Sequence, residues 1–478
     1  MALPNWAEKS DDRRSPALPG RRYLVPTFVL ASLVATVLAA RQSVSDTRRF
    51  PGFDYRMVAV AARAMNAGYD PYRTQLTTGP DGRPLRPAVP LAAYNRLTFV
   101  PPLLSLHGLL ADLPYLQQRY AWLAGSWAAF AVALGSVVLL QRSAAERLFV
   151  FGVGVWFFAV SDFWRRHLIQ GKYYVLLTAL MAVGAWLLAR RGRRSWAAGV
   201  PFGLAVALRP TIGLAVVVLW LTGRRPAALA TVAVAALASA ASLANVPASA
   251  WPDSFAAVRV AGREIATGWQ AAPPEFVTGP VAADLRVDAS FPDAEAEITA
   301  VPWQNLTFAR AVLRPLYRAV GRPGPAAWHG FSQAAALAWV AGGIVLLWLA
   351  RPGRLPRRLV ALHIVVLATG VDFFMPDRYT YTDVMYLLPF GLAVPLLSRP
   401  SAPGWVAAAL LAGLTLGHDR LVPSEAYWVA EVRMAGLLFA PACLVGWALL
   451  RRRRPHRASL TPAAERVLRI TAAAPTFR

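Results

Sequence analysis

One carboxylate stands at the start of a helical pattern near the amino terminus. Asp54 opens the segment 53–72, in which apolar residues recur at helical spacing from Met57 to Met65 before a turn at Asp70-Pro71. The spacing predicts an amphipathic helix lying in a membrane interface. Asp54 is either the N-cap of that helix or a general base that takes a proton from a sugar or lipid hydroxyl, and the two roles are compatible.

Four cations could bind an anion such as a phosphate. Arg165, Arg166 and Lys172 lie in the polar segment 161–174, and Arg209 interrupts the otherwise uncharged stretch 196–221. A guanidinium can hold two phosphate oxygens, and an arginine in apolar surroundings is costly unless it has a partner or reaches water. The alternatives are snorkelling side chains that anchor a span end and an Arg-Pro turn exposed at the interface.

Polar and aromatic residues suited to a sugar or an acceptor lie in the same segments and in two later ones. They are Asp70, Tyr72, Gln170, Tyr173, Trp303, Gln304, Asn305 and Arg378. The last of them lies in the segment 372–383, which could equally be an interfacial aromatic belt. The sequence contains no paired metal-binding motif, nucleophile elbow or phosphate-binding glycine loop. We therefore expect no cofactor, no bound metal and no requirement for a divalent cation.

The composition indicates that these residues belong to a membrane protein. Of the 478 residues, 56% are hydrophobic and 16% are charged, which excludes a secreted, fibrous or disordered protein. The net charge of +25 indicates basic loops near anionic lipid headgroups rather than a nucleic-acid partner. The single cysteine, Cys443, lies in an apolar run, so an intramolecular disulfide is excluded.

The apolar runs predict an all-α polytopic protein with about 12 transmembrane helices. The predicted spans are residues 23–40, 119–140, 147–161, 173–189, 196–208, 210–222, 227–245, 329–350, 359–371, 383–398, 403–417 and 433–450. The short segment 99–110, with Pro101-Pro102, is expected to be re-entrant or interfacial rather than a full span.

Arginine-rich segments set the expected orientation. Those at 190–194, 224–225, 351–358 and 451–454 mark the cytoplasmic side. If the predicted spans cross the membrane alternately in each direction, residues 1–22 form a basic cytoplasmic tail and residues 23–450 a transmembrane domain. Residues 451–478 then form a second cytoplasmic tail. The long loops 41–118 and 246–328 then lie outside, together with every residue proposed above for chemistry. We expect a multi-pass plasma-membrane protein whose site faces the periplasm or the cell exterior.

Five short stretches carry a resemblance to a known family. They are residues 53–72, 99–102, 170–173, 198–210 and 304–314. In this order they resemble glycosyltransferase family 87, whose members are polyprenol-phosphate-sugar-dependent enzymes of the C-type membrane fold. Two motifs depart from the family pattern. Gln170-Gly171-Lys172-Tyr173 replaces a Gly-Gln-x-Asn-like motif, and Arg209-Pro210 replaces Lys-Pro.

The resemblance implies a C-type glycosyltransferase-like helical bundle that moves a hexosyl residue, mannosyl for preference, from a polyprenyl phosphate to a lipid-linked or glycan acceptor. It implies that Asp54 is the catalytic base. Arg209 and Lys172, with Arg165 and Arg166, would then hold the donor phosphate. Without a second carboxylate as nucleophile, a single displacement would invert the anomeric carbon.

Three alternatives remain open. They are an arabinofuranosyltransferase of the same fold, a lipid or solute transporter, and a membrane enzyme such as an acyltransferase or phosphatase. Transporters place polar residues near the bilayer midplane between repeated halves, whereas this chain concentrates them at one boundary and shows no repeat. The other enzymes would need a histidine, carboxylate or serine constellation that the sequence does not display.

Overall fold

The structure is a computed structural model that describes residues 21–66, 70–72, 99–190, 195–244, 246, 248–257, 325–350, 355–374, 380–398, 403–416 and 432–451. Within these ranges the chain is helical and contains no strand. The predicted fold class is therefore confirmed as all-α for the described part of the chain.

Fifteen α-helices, numbered here in chain order, make up most of the described residues. They are α1 (Arg21–Arg49), α2 (Phe53–Asn66), α3 (Pro101–Gly108), α4 (Tyr115–Leu139), α5 (Ala144–Val153), α6 (Asp162–Gln170), α7 (Tyr174–Ala189), α8 (Gly199–Leu208), α9 (Leu214–Leu221), α10 (Arg225–Ser242), α11 (Pro325–Leu349), α12 (Arg357–Phe374), α13 (Leu387–Leu397), α14 (Gly404–Leu416) and α15 (Ala440–Arg451). Short 3-10 turns precede α8, α9 and α13, and single π-helical segments follow α5 and precede α15.

Five helical segments of the described chain are long and apolar enough to cross a membrane. They are Leu24–Arg49, Tyr115–Leu139, Arg225–Ser242, Gly330–Leu349 and Val432–Arg451. A sixth would be the pair Ala144–Ala159 and Asp162–Gln170, which bends by 60° at the break between them. Each of the twelve predicted spans contains a helix, but length and composition support five or six crossings. The protein is therefore a membrane protein, and the number of about twelve crossings stays a prediction.

The centre of the bundle lies around α7 and α12. Every residue of α12 from Leu359 to Phe374 is buried, and the apolar side chains of α7 pack against α4 and α8. A helix that is apolar on all sides is favoured where other helices surround it. Both helices have one end close to the polar residues described below, so two buried helices position the candidate site.

Two glycines allow α8 to lie close to α10. A Cβ atom at Gly203 would come within 2.7 Å of the carbonyl oxygen of Thr231, and one at Gly199 would collide with the carbonyl oxygen of Ala227. Small residues four apart let two apolar helices approach at their backbones. This contact fixes the direction of α8, whose C-terminal end carries Arg209.

The first helix is longer than the sequence predicted. The apolar run ends at residue 40, yet α1 continues to Arg49 because its polar last turns are bonded. The hydroxyls of Ser43 and Thr47 donate to carbonyl oxygens one turn back, and Asp46 pairs with Arg165 of α6. Polar groups satisfied in this way can extend a helix beyond its apolar stretch.

The predicted helix after Asp54 is present as α2, and the segment 99–110 forms the short helix α3, which begins at Pro101. The two pack against each other, and Tyr55, Val58, Ala61 and Met65 of α2 are buried. Proline suits the first turn of a helix because its missing N–H has no partner there. The interfacial position of α2 stays a prediction.

Candidate functional site

The proposed base and one proposed phosphate ligand lie in direct contact. Lys172 Nζ is 2.7 Å from Asp54 Oδ2, and the two side chains are 11% and 22% exposed. Asp54 lies in the first turn of α2, where the helix dipole favours a negative charge. The pair is therefore accessible at one side while its charges compensate each other.

Two glycines with positive φ bring these residues together. Gly171 ends α6 at φ 65°, and a Cβ there would lie 2.5 Å from Tyr55 Cβ. Gly52 precedes α2 at φ 72°, and its Cβ would come within 2.6 Å of the carbonyl oxygen of Ile169. Glycine adopts this conformation without a steric cost. The end of α6 can therefore lie against the start of α2, which places Lys172 beside Asp54.

Arg209 lies in a second polar group at the end of α8. Its Nη2 atom forms an ion pair with Oδ1 of Asp372, which is 7% exposed at the end of α12. Its Nη1 atom donates to the hydroxyl oxygens of Tyr173, at 3.0 Å, and Tyr174, at 3.3 Å. Burial opposes the charge of Arg209, but Asp372 and the two tyrosines hold the pKa of Arg209 well above its ordinary value.

The two groups are joined through consecutive residues. Lys172 contacts Asp54, and Tyr173, whose Cα lies about 3.8 Å from that of Lys172, contacts Arg209. Tyr173 also packs edge-on against Phe99 of the segment before α3. The structure thus brings Asp54, Lys172, Tyr173 and Arg209 into one connected cluster from three separate parts of the chain.

The other two arginines proposed for the donor phosphate have carboxylate partners of their own. Arg165 holds Asp46 of α1 with two hydrogen bonds, at 2.7 and 2.9 Å. Arg166 pairs with Asp162 one turn earlier in α6, at 2.7 Å. Both side chains therefore connect or stabilise helices in the structure, and their role toward a donor stays a prediction.

The structure also gives internal bonds to residues proposed for the sugar or acceptor. Asp70 accepts hydrogen bonds from the Tyr72 backbone N–H and the Ser249 hydroxyl, at 2.9 and 3.1 Å. The Tyr72 hydroxyl donates to the Phe99 carbonyl oxygen, at 2.5 Å. Gln170 is buried at the end of α6. These contacts hold the segment after α2 beside that before α3.

Four proposed residues lie outside the described part of the chain. They are Trp303, Gln304, Asn305 and Arg378. Most of the predicted outer loop 246–328 and the segment 375–379 lie outside it as well. Their roles remain as the sequence predicted them.

Besides Asp46 and Asp162, the structure places two more carboxylates to which sequence reasoning gave no role in contact with cations. Asp372 was included only in a segment that could be an aromatic belt, and it is the ion partner of Arg209. Asp383 pairs with Arg433 at 2.6 Å in full burial, and Arg433 also lies over the ring of Phe163. An aspartate at the end of a continuous apolar run is a signal that could have identified Asp372.

The cluster has the groups needed for transfer to a hydroxyl. A carboxylate can accept a proton, and an ammonium and a guanidinium near it can stabilise a departing anion. The ion pair with Asp372 partly neutralises Arg209, so Arg209 stabilises a bound anion less strongly. The same pair fixes the orientation of the Arg209 side chain.

Comparison with protein-family models matches residues 98–376, more than half of the chain, to glycosyltransferase family 87. Comparisons with curated proteins and with solved structures gave no significant match. The matched part contains Lys172, Tyr173, Arg209 and Asp372, whereas Asp54 precedes it. The chain therefore belongs to glycosyltransferase family 87, and it is a membrane enzyme that transfers glycosyl groups.

Proposed function

We propose that the enzyme transfers a hexosyl residue, mannosyl for preference, from a polyprenyl phosphate to a hydroxyl of a lipid-linked or glycan acceptor. The observation that carries this proposal is the direct contact between Asp54 and Lys172, one residue from the tyrosine that binds Arg209. A base and two cations in one cluster match the demands of a sugar leaving a phosphate.

In the proposed reaction, Asp54 takes the proton of the acceptor hydroxyl as its oxygen attacks the anomeric carbon of the donor. The bond between that carbon and the phosphate oxygen breaks, and its electron pair leaves with the polyprenyl phosphate. Lys172 and Arg209 stabilise the charge that develops on the phosphate. A single displacement inverts the configuration of the sugar.

The Lys172–Asp54 ion pair sets the sequence of steps, with donor binding before proton transfer to Asp54. The Lys172 ammonium, held 2.7 Å from Asp54 Oδ2, occupies an oxygen that would otherwise be open to the acceptor hydroxyl. A donor phosphate competes for the same ammonium, and its binding draws Lys172 away from Asp54. The base is then available when the donor is in place.

The expected placement in the membrane belongs to the same proposal. The site lies on the non-cytoplasmic face of the plasma membrane, about twelve helices cross the bilayer, and α2 lies in the interface. Grooves between helices accept the isoprenoid chain, and the loop 246–328 covers the sugar and the acceptor. The residues that bind the sugar or the acceptor are Asp70, Tyr72, Gln170, Tyr173, Trp303, Gln304, Asn305 and Arg378.

The test is transfer by the purified full-length protein in detergent. The protein is incubated with polyprenyl phosphates that carry mannose, glucose or arabinofuranose, and release of the polyprenyl phosphate is followed over time. We expect release with the mannosyl donor when an acceptor extract from membranes is present. Release with the arabinofuranosyl donor alone would replace the hexosyl assignment, and use of none of the three donors would contradict the proposal.

A further inference from the structure

Three side chains, two buried and one half-buried, surround one buried ring between α2, α3 and α4. The ring is that of Tyr55, which is 0% exposed. Its centroid lies 5.3 Å from that of His107 and 5.9 Å from that of Trp122, and the guanidinium carbon of Arg119 lies 5.8 Å from it. The rings of His107 and Trp122 are 4.1 Å apart. The four side chains therefore form one cluster, named here the Tyr55 cluster.

Each member of the Tyr55 cluster has a buried polar atom that bonds to nothing in the described structure. These atoms are Tyr55 Oη, His107 Nδ1, Arg119 Nη2 and Trp122 Nε1. A buried polar atom without a partner is strongly unfavourable, so such atoms are rare and are generally satisfied by a bound water or ion. The four atoms belong to side chains that pack against one another, which points to a common ligand.

The chemistry of the cluster specifies the kind of ligand. The indole and guanidinium N–H groups can only donate. Burial raises the pKa of Tyr55, so its hydroxyl stays protonated and can donate as well. Burial lowers the pKa of His107 to about 3, so its ring is neutral. The ligand must therefore accept several hydrogen bonds.

Among the described residues, the charge of Arg119 has no acidic partner. Arg119 is 2% exposed, and its described contacts are the carbonyl oxygen of Pro51 and the ring of Tyr55. The helices α3 and α4 contain no acidic residue, and Asp54 of α2 is bound to Lys172. A buried cation of this kind is stabilised by an anion.

We propose that the Tyr55 cluster binds an oxyanion, with a phosphate group as the ligand class, through Arg119, Tyr55 and Trp122. The start of α2, which Gly52 lets approach Arg119, adds the positive end of a 14-residue helix to the same place. This site uses other side chains than Arg209 and Lys172, and it does not depend on the proposed transfer reaction.

The test uses the purified full-length protein in detergent and inorganic phosphate as the probe. The thermal unfolding midpoint is measured against phosphate concentration, with sodium chloride at equal ionic strength as the reference. We expect a saturable rise in the midpoint. Tyr55→Phe and Trp122→Phe each remove a donor while keeping an aromatic ring, and each should weaken the apparent phosphate affinity about tenfold. Arg119→Gln should abolish the response.

Two variants make the result specific. Tyr120→Phe, in the same helix, removes a hydroxyl that accepts from Arg48 outside the cluster, and its phosphate response should be unchanged. Arg209→Gln should also leave the response intact. A response lost in Arg209→Gln but kept in Tyr55→Phe would place the phosphate at the donor site and overturn the proposal.

A second series with short-chain phosphatidic acid in the micelles distinguishes a lipid phosphate from the free ion, and a rise with either probe that depends on Tyr55 supports the site. If neither probe raises the midpoint, or if Tyr55→Phe stabilises the protein without changing its response, the cluster has no oxyanion ligand. The second result is expected for an empty cluster, because removing an unsatisfied buried hydroxyl is favourable.

Discussion

At the scale of single residues, the two cations of the candidate site, Lys172 and Arg209, pair with carboxylates that differ in burial. Asp54 is partly exposed beside Lys172, whereas Asp372 is buried beside Arg209. A buried pair is more costly to break than an exposed one, since the remaining charge stays away from water. We therefore expect a substrate to exchange the pair at Asp54, and we expect the pair at Asp372 to keep Arg209 in position.

Asp372→Asn should lower both stability and donor use. The substitution leaves Arg209 buried with a neutral partner, and we expect a loss of about 2–4 kcal/mol of stability and a higher KM for the donor. Thermal unfolding and transfer kinetics measure the two effects. In an Arg209→Gln background the same substitution should cost much less, and equal costs in both backgrounds would show that the two side chains do not act together.

The sequence singled out Asp54 as the start of a helical pattern, Lys172 as a cation in a polar segment and Arg209 as a charge in apolar surroundings, and their roles stay predictions. It could not identify their partners. The ion pairs join residues more than a hundred positions apart, and pairing at that separation depends on how helices cross. The roles of Gly52 and Gly171 could not be predicted from the sequence either. A Cβ atom is excluded at these positions only because another element lies against them in the folded chain.

At the scale of elements, the joint between α6 and α2 depends on Gly171. Gly171→Ala should destabilise the protein and reduce transfer, since a Cβ at φ 65° is strained and would push Tyr55 and the start of α2 away from Lys172. We expect a lower unfolding midpoint and transfer reduced at least tenfold. Both are measured on purified protein at matched expression.

Gly223→Ala is the matched control for this joint. Gly223 has φ 73°, but a Cβ there would meet nothing within 4 Å. The control therefore carries the same backbone strain, about 1–2 kcal/mol, without the collision. If both variants lose the same stability and both keep full transfer, the joint does not position Lys172.

Helix positions were the most predictable feature of the elements. Long apolar runs specify helices in a membrane because backbone groups must be bonded within the segment. Helix ends were less predictable. The extension of α1 to Arg49 depends on the Asp46–Arg165 pair, and the 60° bend between α5 and α6 follows Ser161, whose hydroxyl caps the new helix.

At the scale of the whole molecule, the proposed orientation can be tested across one helix. Asp112 and Arg142 are exposed on either side of α4, a candidate span. In a Cys443→Ser background, Asp112→Cys should react with an impermeant thiol reagent added outside intact cells. Arg142→Cys should react only after the membrane is opened. The reverse pattern would place the site in the cytoplasm.

The family was recognisable from a few short motifs because their order along the chain restricts the arrangement of the helices that carry them. The number of crossings was not predictable from the sequence. Several apolar helices are shorter than the thickness of a bilayer, and length and composition support five or six crossings in the described part of the chain. Sugar and acceptor depend on segments such as 303–305 that lie outside the described residues.

The most direct test is transfer by Asp54→Asn with donor binding measured on the same preparation. The amide keeps the size of the side chain and cannot act as a base, so we expect donor binding to persist while transfer falls about 10²–10⁴-fold. Asp112→Asn, an exposed carboxylate outside the cluster, should retain the wild-type rate. Undiminished transfer by Asp54→Asn would contradict the account.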